Sequence, residues 1–264
     1  MSQLRLFALA LAATLLVTNI SQAQFRVYNN IDGSVFSGFV YSNGGDGPDP
    51  VTTGNTITRL TADDIHFAPG FAGNVITNIY FSVSNLNAVA VSARPRLRFY
   101  ADNSNSPGNI LAAFTFNPIS FPAQSVSVFF FNPGGSFTVP AGTMWAGETF
   151  DDNVGTTGIT PAQLNNLGQG IFGPPQAGTS LDEFFQSTSQ GSFNQNNPPG
   201  SLLFFGGVPA ANFGWAFEIA NISSVPEPAT WGLLILGTTA CTGGLVYRRR
   251  KARLAAEEKL VVKR

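Results

Sequence analysis

The sequence is poor in charge: only 11% of its 264 residues are Asp, Glu, Lys or Arg, against roughly 25% in an average soluble protein. It holds one cysteine, Cys241, and one histidine, His66. A single cysteine excludes an intramolecular disulfide, so packing must hold the fold together. A single histidine excludes any multi-histidine metal site. Between residues 24 and 224 there is no lysine at all, and five arginines (Arg26, Arg59, Arg94, Arg96, Arg98) stand against twelve acids, a balance of −7. Nucleic-acid binding needs an excess of Lys and Arg, so this balance argues against such a partner. The same stretch has no cysteine and no Gly-x-Ser-x-Gly elbow, which leaves a nucleophilic triad with little support.

What the chain has instead is 24 Phe, 28 Gly and 17 Pro. A domain of about 200 residues buries on the order of 70% of its unfolded surface, enough for a real core.

The two ends carry the most specific signals. Residues 1–23 combine one cation (Arg5), an apolar stretch from Leu6 to Val17 and the small-x-small exit Ser21-Gln22-Ala23. This pattern reads as a secretory signal peptide cleaved between Ala23 and Gln24. At the other end, Val225-Pro226-Glu227-Pro228 precedes an apolar run from Trp231 to Tyr247 and then the cluster Arg248, Arg249, Arg250, Lys251 and Arg253. Two prolines around one residue keep the segment extended. The run of residues 231–247 would reach about 25 Å as a helix at roughly 1.5 Å per residue, a little short of a hydrocarbon core of about 30 Å. Interfacial Trp231 and Tyr247 and snorkelling arginines make up the difference. Basic residues after the span place the C-terminus on the cytoplasmic side, with residues 254–264 as a tail.

In order and spacing, Pro226-Glu227-Pro228, the apolar helix and the basic cluster resemble the PEP-CTERM sorting signal over residues 225–253. That resemblance implies processing by an exosortase, a membrane-embedded transpeptidase-like enzyme, with the tripeptide as its recognition element and the helix and basic tail as a retention device. It implies an inner-membrane intermediate with the N-terminus outside, followed by delivery to the cell surface or extracellular matrix.

Residues 24–224 read as short strands separated by Gly, Pro and Asn clusters. The clearest alternation puts Phe213, Trp215, Phe217 and Ile219 on one face, the mark of a half-buried strand. Residues 78–83, 89–101, 110–116, 125–131 and 144–150 look similar, with turns at Asn132-Pro133-Gly134-Gly135 and Ser106-Pro107-Gly108-Asn109. This spacing predicts an all-β, antiparallel, jelly-roll-like sandwich followed by one C-terminal transmembrane helix. One short helix is expected over residues 161–167, with Thr160 as N-cap, Pro161 at its first position and Gly168 as its stop. Residues 151–212 are expected to be a loop-rich excursion pinned down by residues 181–185 and 202–205. Three stretches, Ile76 to Phe81, Leu97 to Asn103 and Pro107 to Ala112, resemble the choice-of-anchor group of bacterial surface domains, jelly-roll modules with no activity to carry over.

Three constellations are candidates for chemistry. Arg94, Arg96 and Arg98 alternate on a strand and would line a solvent face, either as a contact for acidic envelope polysaccharide or simply paired with nearby acids. Pro95 between them predicts an edge strand or a bulge. Asp102, Asp151 and Asp152, with Asp46, Asp49, Asp63 and Asp64, offer oxygen ligands of the kind calcium takes, although turn chemistry explains such runs equally well. His66 follows Asp63-Asp64-Ile65 and is a conceivable general base, with a structural histidine the plainer reading. The acids otherwise fall in turn-like contexts where water would keep them ordinary. The resulting expectation is a non-catalytic exported protein without a cofactor or resident metal, structural or adhesive in role. A carbohydrate-binding module is the alternative, and a glycan-active enzyme comes third.

Overall fold

The computed structural model describes residues 25–41, 56–135, 137–206 and 212–220. In chain order the strands are β1 (Phe25–Asn29), β2 (Val35–Tyr41), β3 (Leu60–Ile65), β4 (Ile76–Asn85), β5 (Val91–Asp102), β6 (Pro107–Thr115) and β7 (Ile119–Phe121). They continue with β8 (Ser125–Phe131), β9 (Met144–Asp151), β10 (Leu167–Gly173), β11 (Glu183–Ser187), β12 (Ser201–Phe204), β13 (Asn212–Phe213) and β14 (Trp215–Ile219). A short helix, α1 (Pro161–Asn165), precedes β10. Every strand pair is antiparallel, and the strands form two sheets.

The first sheet has the order β1-β14-β4-β10-β13, with β2 added to β10 and β8 to β4. The second has the order β12-β11-β3-β9-β5-β6, with β7 beside β5. Aromatic rings join the two: Phe99 of β5 packs edge-on against both Trp215 and Phe217 of β14, at 5.7 Å between centroids in each case. The all-β sandwich expected from the sequence is therefore present. Phe213, Trp215, Phe217 and Ile219 are all fully buried, as the alternation requires. The opposite face of β14 is buried as well, because Arg26, Asn78 and Tyr80 close over Glu218. That strand is covered on both sides rather than half-buried.

Two features depart from the sequence reading. Residues 151–212 are no excursion: they supply β10 to the centre of one sheet and β11 and β12 to the other. The β10 sequence, Leu-Gly-Gln-Gly-Ile-Phe-Gly, hides its strand character because its glycines make room for neighbours. A Cβ on Gly170 would lie 3.0 Å from both the Phe172 ring and Val126. The helix ends at Asn165, two residues before the expected limit, and its start is as expected: Thr160 Oγ1 accepts from Gln163 N while Gln163 Oε1 accepts from Thr160 N.

β5 is also not an edge strand, since β9 flanks one side of it and β6 and β7 the other. Pro95 is tolerated at a break in the neighbouring strand. Thr115, the last residue of β6, pairs with Arg96, and Ile119, the first of β7, pairs with Ala93. The Pro95 carbonyl accepts from Phe116 N across that break. N–H and C=O of one strand residue point the same way, so the donor Pro95 lacks falls where no ladder partner stands.

Among the described residues, no helix is long and apolar enough to cross a membrane. The expected signal peptide, Pro226-Glu227-Pro228, the span 231–247, the basic cluster, and Asp46 and Asp49 all lie outside the described residues.

Candidate functional site

β3 carries two adjacent acids, and strand alternation sends them to opposite faces. Asp63 points between the sheets, where its Oδ2 accepts from the backbone N–H of Phe213 at 2.8 Å. Asp64 points outward and lies 2.6 Å from His66 Nε2 through Oδ2. Leu181 N donates to both Asp64 oxygens, and Ser180 Oγ donates to Oδ1 at 3.0 Å. Both acids are fully buried. The expectation of ordinary, water-exposed acids is thus overturned here, and Glu148, Asp151, Asp152, Glu183 and Glu218 are buried too. Turn-forming residue types had suggested otherwise, but these acids sit on strands or next to strand ends.

The backbone behind His66 is fixed by a reciprocal pair, His66 N to Thr179 O and Thr179 N to His66 O, each 2.9 Å. Gly178 makes this approach possible: with φ at +69°, its missing Cβ would otherwise fall 2.5 Å from the His66 carbonyl oxygen. On its other ring nitrogen, Nδ1, His66 meets Thr143 Oγ1 at 3.2 Å. The hydrogen bond to Asp64 raises the His66 pKa above its usual value, partial burial opposes this, and the Asp64, Asp102 and Glu183 charges add to the rise.

His66 and Thr143 open onto a cleft of about 290 Å³ whose other walls include Phe67, Pro69, Val139 and Pro140. An acid, an imidazole and a hydroxyl in line form the outline of an acyl-transfer triad, but with the ring nitrogens exchanged. In the familiar arrangement Nδ1 faces the acid and Nε2 the hydroxyl. With the imidazole neutral, Nε2–H donates to Asp64 and Thr143 O–H donates to Nδ1. With it charged, Nδ1–H donates to Thr143 and frees the hydroxyl hydrogen for the cleft.

The arginine row is engaged rather than open. Arg94 makes a bidentate contact with Asp151, 2.6 Å and 2.7 Å, and reaches Asn153 at 2.8 Å. Arg96 and Arg98 lie over the Phe193 ring at 5.7 Å and 5.2 Å, and both donate to Asn194 Oδ1. A 3-10 turn at Ser192–Asn194 therefore roofs the face that the sequence presents as solvent-exposed. Tyr100 secures the roof by donating to the Phe193 carbonyl at 2.5 Å.

The calcium candidates are not brought together. Asp102 accepts from Trp145 Nε1 at 2.9 Å, at one end of β5. Asp151 pairs with Arg94, eight residues back along the same strand, roughly 26 Å away at about 3.3 Å per residue. Asp152 is buried beside Asp151, with Oδ1 unpartnered. Among the described residues, no three His, Cys, Asp or Glu side chains group as a metal would require.

A third cluster has no counterpart in the sequence reading. On the outer face of the first sheet, Arg26 lies 4.9 Å from the centroid of the Tyr80 ring, and Phe130 stacks on Tyr80 at 5.6 Å. Glu218 ties the group together, accepting from Arg26 Nε, Asn78 Nδ2 and Tyr80 OH. Its members come from β1, β4, β8 and β14, so only the folded sheet assembles them. Phe130 is 69% exposed. Comparison with family models, with curated proteins and with solved structures finds no match.

Proposed function

We propose that this chain is an exported, non-catalytic β-sandwich protein that is sorted to the cell envelope or extracellular matrix and serves there in a structural or adhesive role. The observation that carries the role is how the domain distributes its side chains. Several of its acids and arginines are paired with one another, as in Arg94–Asp151 and Arg26–Glu218, while Val35, Phe36, Val128, Phe130 and Phe204 face outward. An outside rich in apolar groups suits association. The address rests on the sequence: a signal peptide at residues 1–23 and a PEP-CTERM-like signal at residues 225–253, handled by an exosortase, with the apolar run 231–247 as a membrane helix before processing. The pairing of the first strand, β1, with the last, β14, supports a jelly-roll-like wrapping of the sandwich.

Carbohydrate binding is the second reading, and the Arg26–Tyr80–Phe130 stack favours it. An exposed aromatic face beside a carboxylate, an amide and a guanidinium is the chemistry that holds a sugar ring. A glycan array, run with and without calcium on the protein extracted from exporting cells, separates the two readings. Binding lost on Phe130→Ala or Tyr80→Ala would establish the second.

The non-catalytic part has its own test at the His66 cleft. The same preparation is expected to turn over no polysaccharide, peptide or ester. Turnover that disappears in His66→Gln or Thr143→Val, with the fold intact, would overturn it.

A further inference from the structure

A sheet edge exposes a row of unpaired N–H and C=O groups that will pair with another strand unless something prevents it. This sandwich protects its edges by several devices. β1 carries Arg26 and a bulge, and its outer side is bridged by Ala177. β2 pairs with β10 through a register shift that skips Ser37. β6 contains a bulge, and its free side is met by Asn196, which accepts from Ile110 N, and by Asn197 N, which donates to the Gly108 carbonyl. β7, β12 and β13 are only two to four residues long.

β8 has none of these. Its sequence, Ser-Val-Ser-Val-Phe-Phe-Phe, holds no charge, no proline and no glycine. Its ladder with β4 runs through seven consecutive pairs, Ile79↔Phe131 to Asn85↔Ser125, without a shift. Among the described residues β4 is its only strand partner. Val126, Val128 and Phe130 stand exposed on its outer face. Seven uncharged residues, five of them Val or Phe of high β propensity, are the composition that favours strand addition.

We infer that β8 pairs antiparallel with β8 of a second copy of this chain, about a two-fold axis at Val128. The inference rests on the structural or adhesive reading above and names its contact. Three observations select a second copy as the occupant. Pairing about Val128 sets Val126 opposite Phe130 and Val128 opposite its own copy, so the outer face of the junction is apolar on both sides. Such β-branched and aromatic cross-strand pairs are favourable. The opposite face matches Ser125 with Phe131 and Ser127 with Phe129, again without a charge. Finally, the β8 edge holds no charge, so it offers nothing to a charged partner and adds nothing to the repulsion between copies of a domain carrying −7.

The contact is small. A strand of seven residues is about 23 Å long, and a strip of that length buries a few hundred Å² per copy, below the roughly 800 Å² per partner of a standard stable interface. Pairing is therefore weak in dilute solution and is populated where copies are concentrated on an envelope.

The register makes the contact testable in the full chain, exported in cells, with Cys241→Ser as background. In Val128→Cys the two thiols face one another, with Cα atoms about 4.5–5.5 Å apart, within disulfide range. The expected result is a dimer on non-reducing gels that reduction removes. Val126→Cys is expected to stay monomeric alone and to link to a co-expressed Phe130→Cys chain. Val154→Cys, at a residue more exposed than any of these, serves as the control and stays monomeric. Adding Phe130→Lys to Val128→Cys is expected to lower the linked fraction about tenfold. Absence of the Val128→Cys dimer, or equal linking of Val154→Cys, would overturn the inference. So would shielding of the Val128→Cys thiol from a maleimide by envelope polysaccharide without any dimer, which would assign the strand to a glycan. Processing of the chain is read independently by its mass, so loss of this contact leaves the envelope address standing.

Discussion

Asp63 of β3 accepts a hydrogen bond from the backbone N–H of Phe213 in β13, 2.8 Å away across the sandwich. One carboxyl thus links a strand of each sheet through the core. Burial raises the Asp63 pKa well above its usual value, and the neighbouring Asp64 charge adds to the effect. An unfolded Asp loses its proton near about pH 3.9, while the folded side chain holds its proton to a higher pH, so above about pH 3.9 ionisation favours the unfolded chain. Asp63→Asn keeps an acceptor for Phe213 N and removes the titration. The variant is expected to be more stable than the parent at pH 7, with the advantage shrinking as pH falls toward 4, in denaturant titrations.

The sign is opposite for His66, whose folded pKa is raised mainly by its hydrogen bond to Asp64. Its contribution is complete below the unfolded pKa of about 6.5 and is lost as pH rises through the higher folded value. His66 is the only histidine in the chain, so its ring signals in NMR are unambiguous. They are expected to titrate above 6.5, and Asp64→Asn is expected to bring the midpoint down.

Glu148 lies on β9 opposite Leu97, fully buried, with neither carboxyl oxygen partnered. Desolvation alone pushes its pKa well up, which favours the protonated form. Nothing in the structure explains why a carboxyl stands there. Glu148→Leu removes the unmet polar groups, and a stability gain of about 1–3 kcal/mol is expected from urea denaturation at pH 7. A loss of that size would mean that the carboxyl has a partner or role the geometry does not reveal.

Trp215 is fully buried between Phe81, Phe99 and Phe217. Trp215→Ala is expected to cost about 3–5 kcal/mol by denaturant unfolding. Trp215→Phe, which keeps most of the ring contacts, should cost clearly less.

How far the sequence can be read follows from what each element depends on. β5, β8, β9 and β14 declare themselves because apolar residues recur at a period of two, and the cap at Thr160-Pro161 is a local signal. β3 is illegible because Leu-Thr-Ala-Asp-Asp-Ile places two acids where a buried strand usually has none. Only the fold supplies Leu181 N, Ser180 and His66 for one of them and Phe213 N for the other. β10 is hidden by its glycines, which answer to the bulk of Phe172 and Val126. The cleft at His66 was half visible. His66 and Asp64 are two residues apart, but Thr143 arrives from the start of β9, 77 positions away. The Arg26–Tyr80–Phe130 stack, tied together by Glu218, draws on strands from both ends of the domain and leaves no local trace. The arginine row was legible as a row but not as covered, because Phe193 and Asn194 come from a turn nearly a hundred residues on.

The most direct test of the account is the intact mass of the protein recovered from the envelope and matrix fractions of cells that contain an exosortase. The account predicts a chain that begins at Gln24 and lacks Arg248 to Arg264, found in those fractions in folded form. A chain that still carries residues 1–23 or Arg248 to Arg264 in such cells would contradict it.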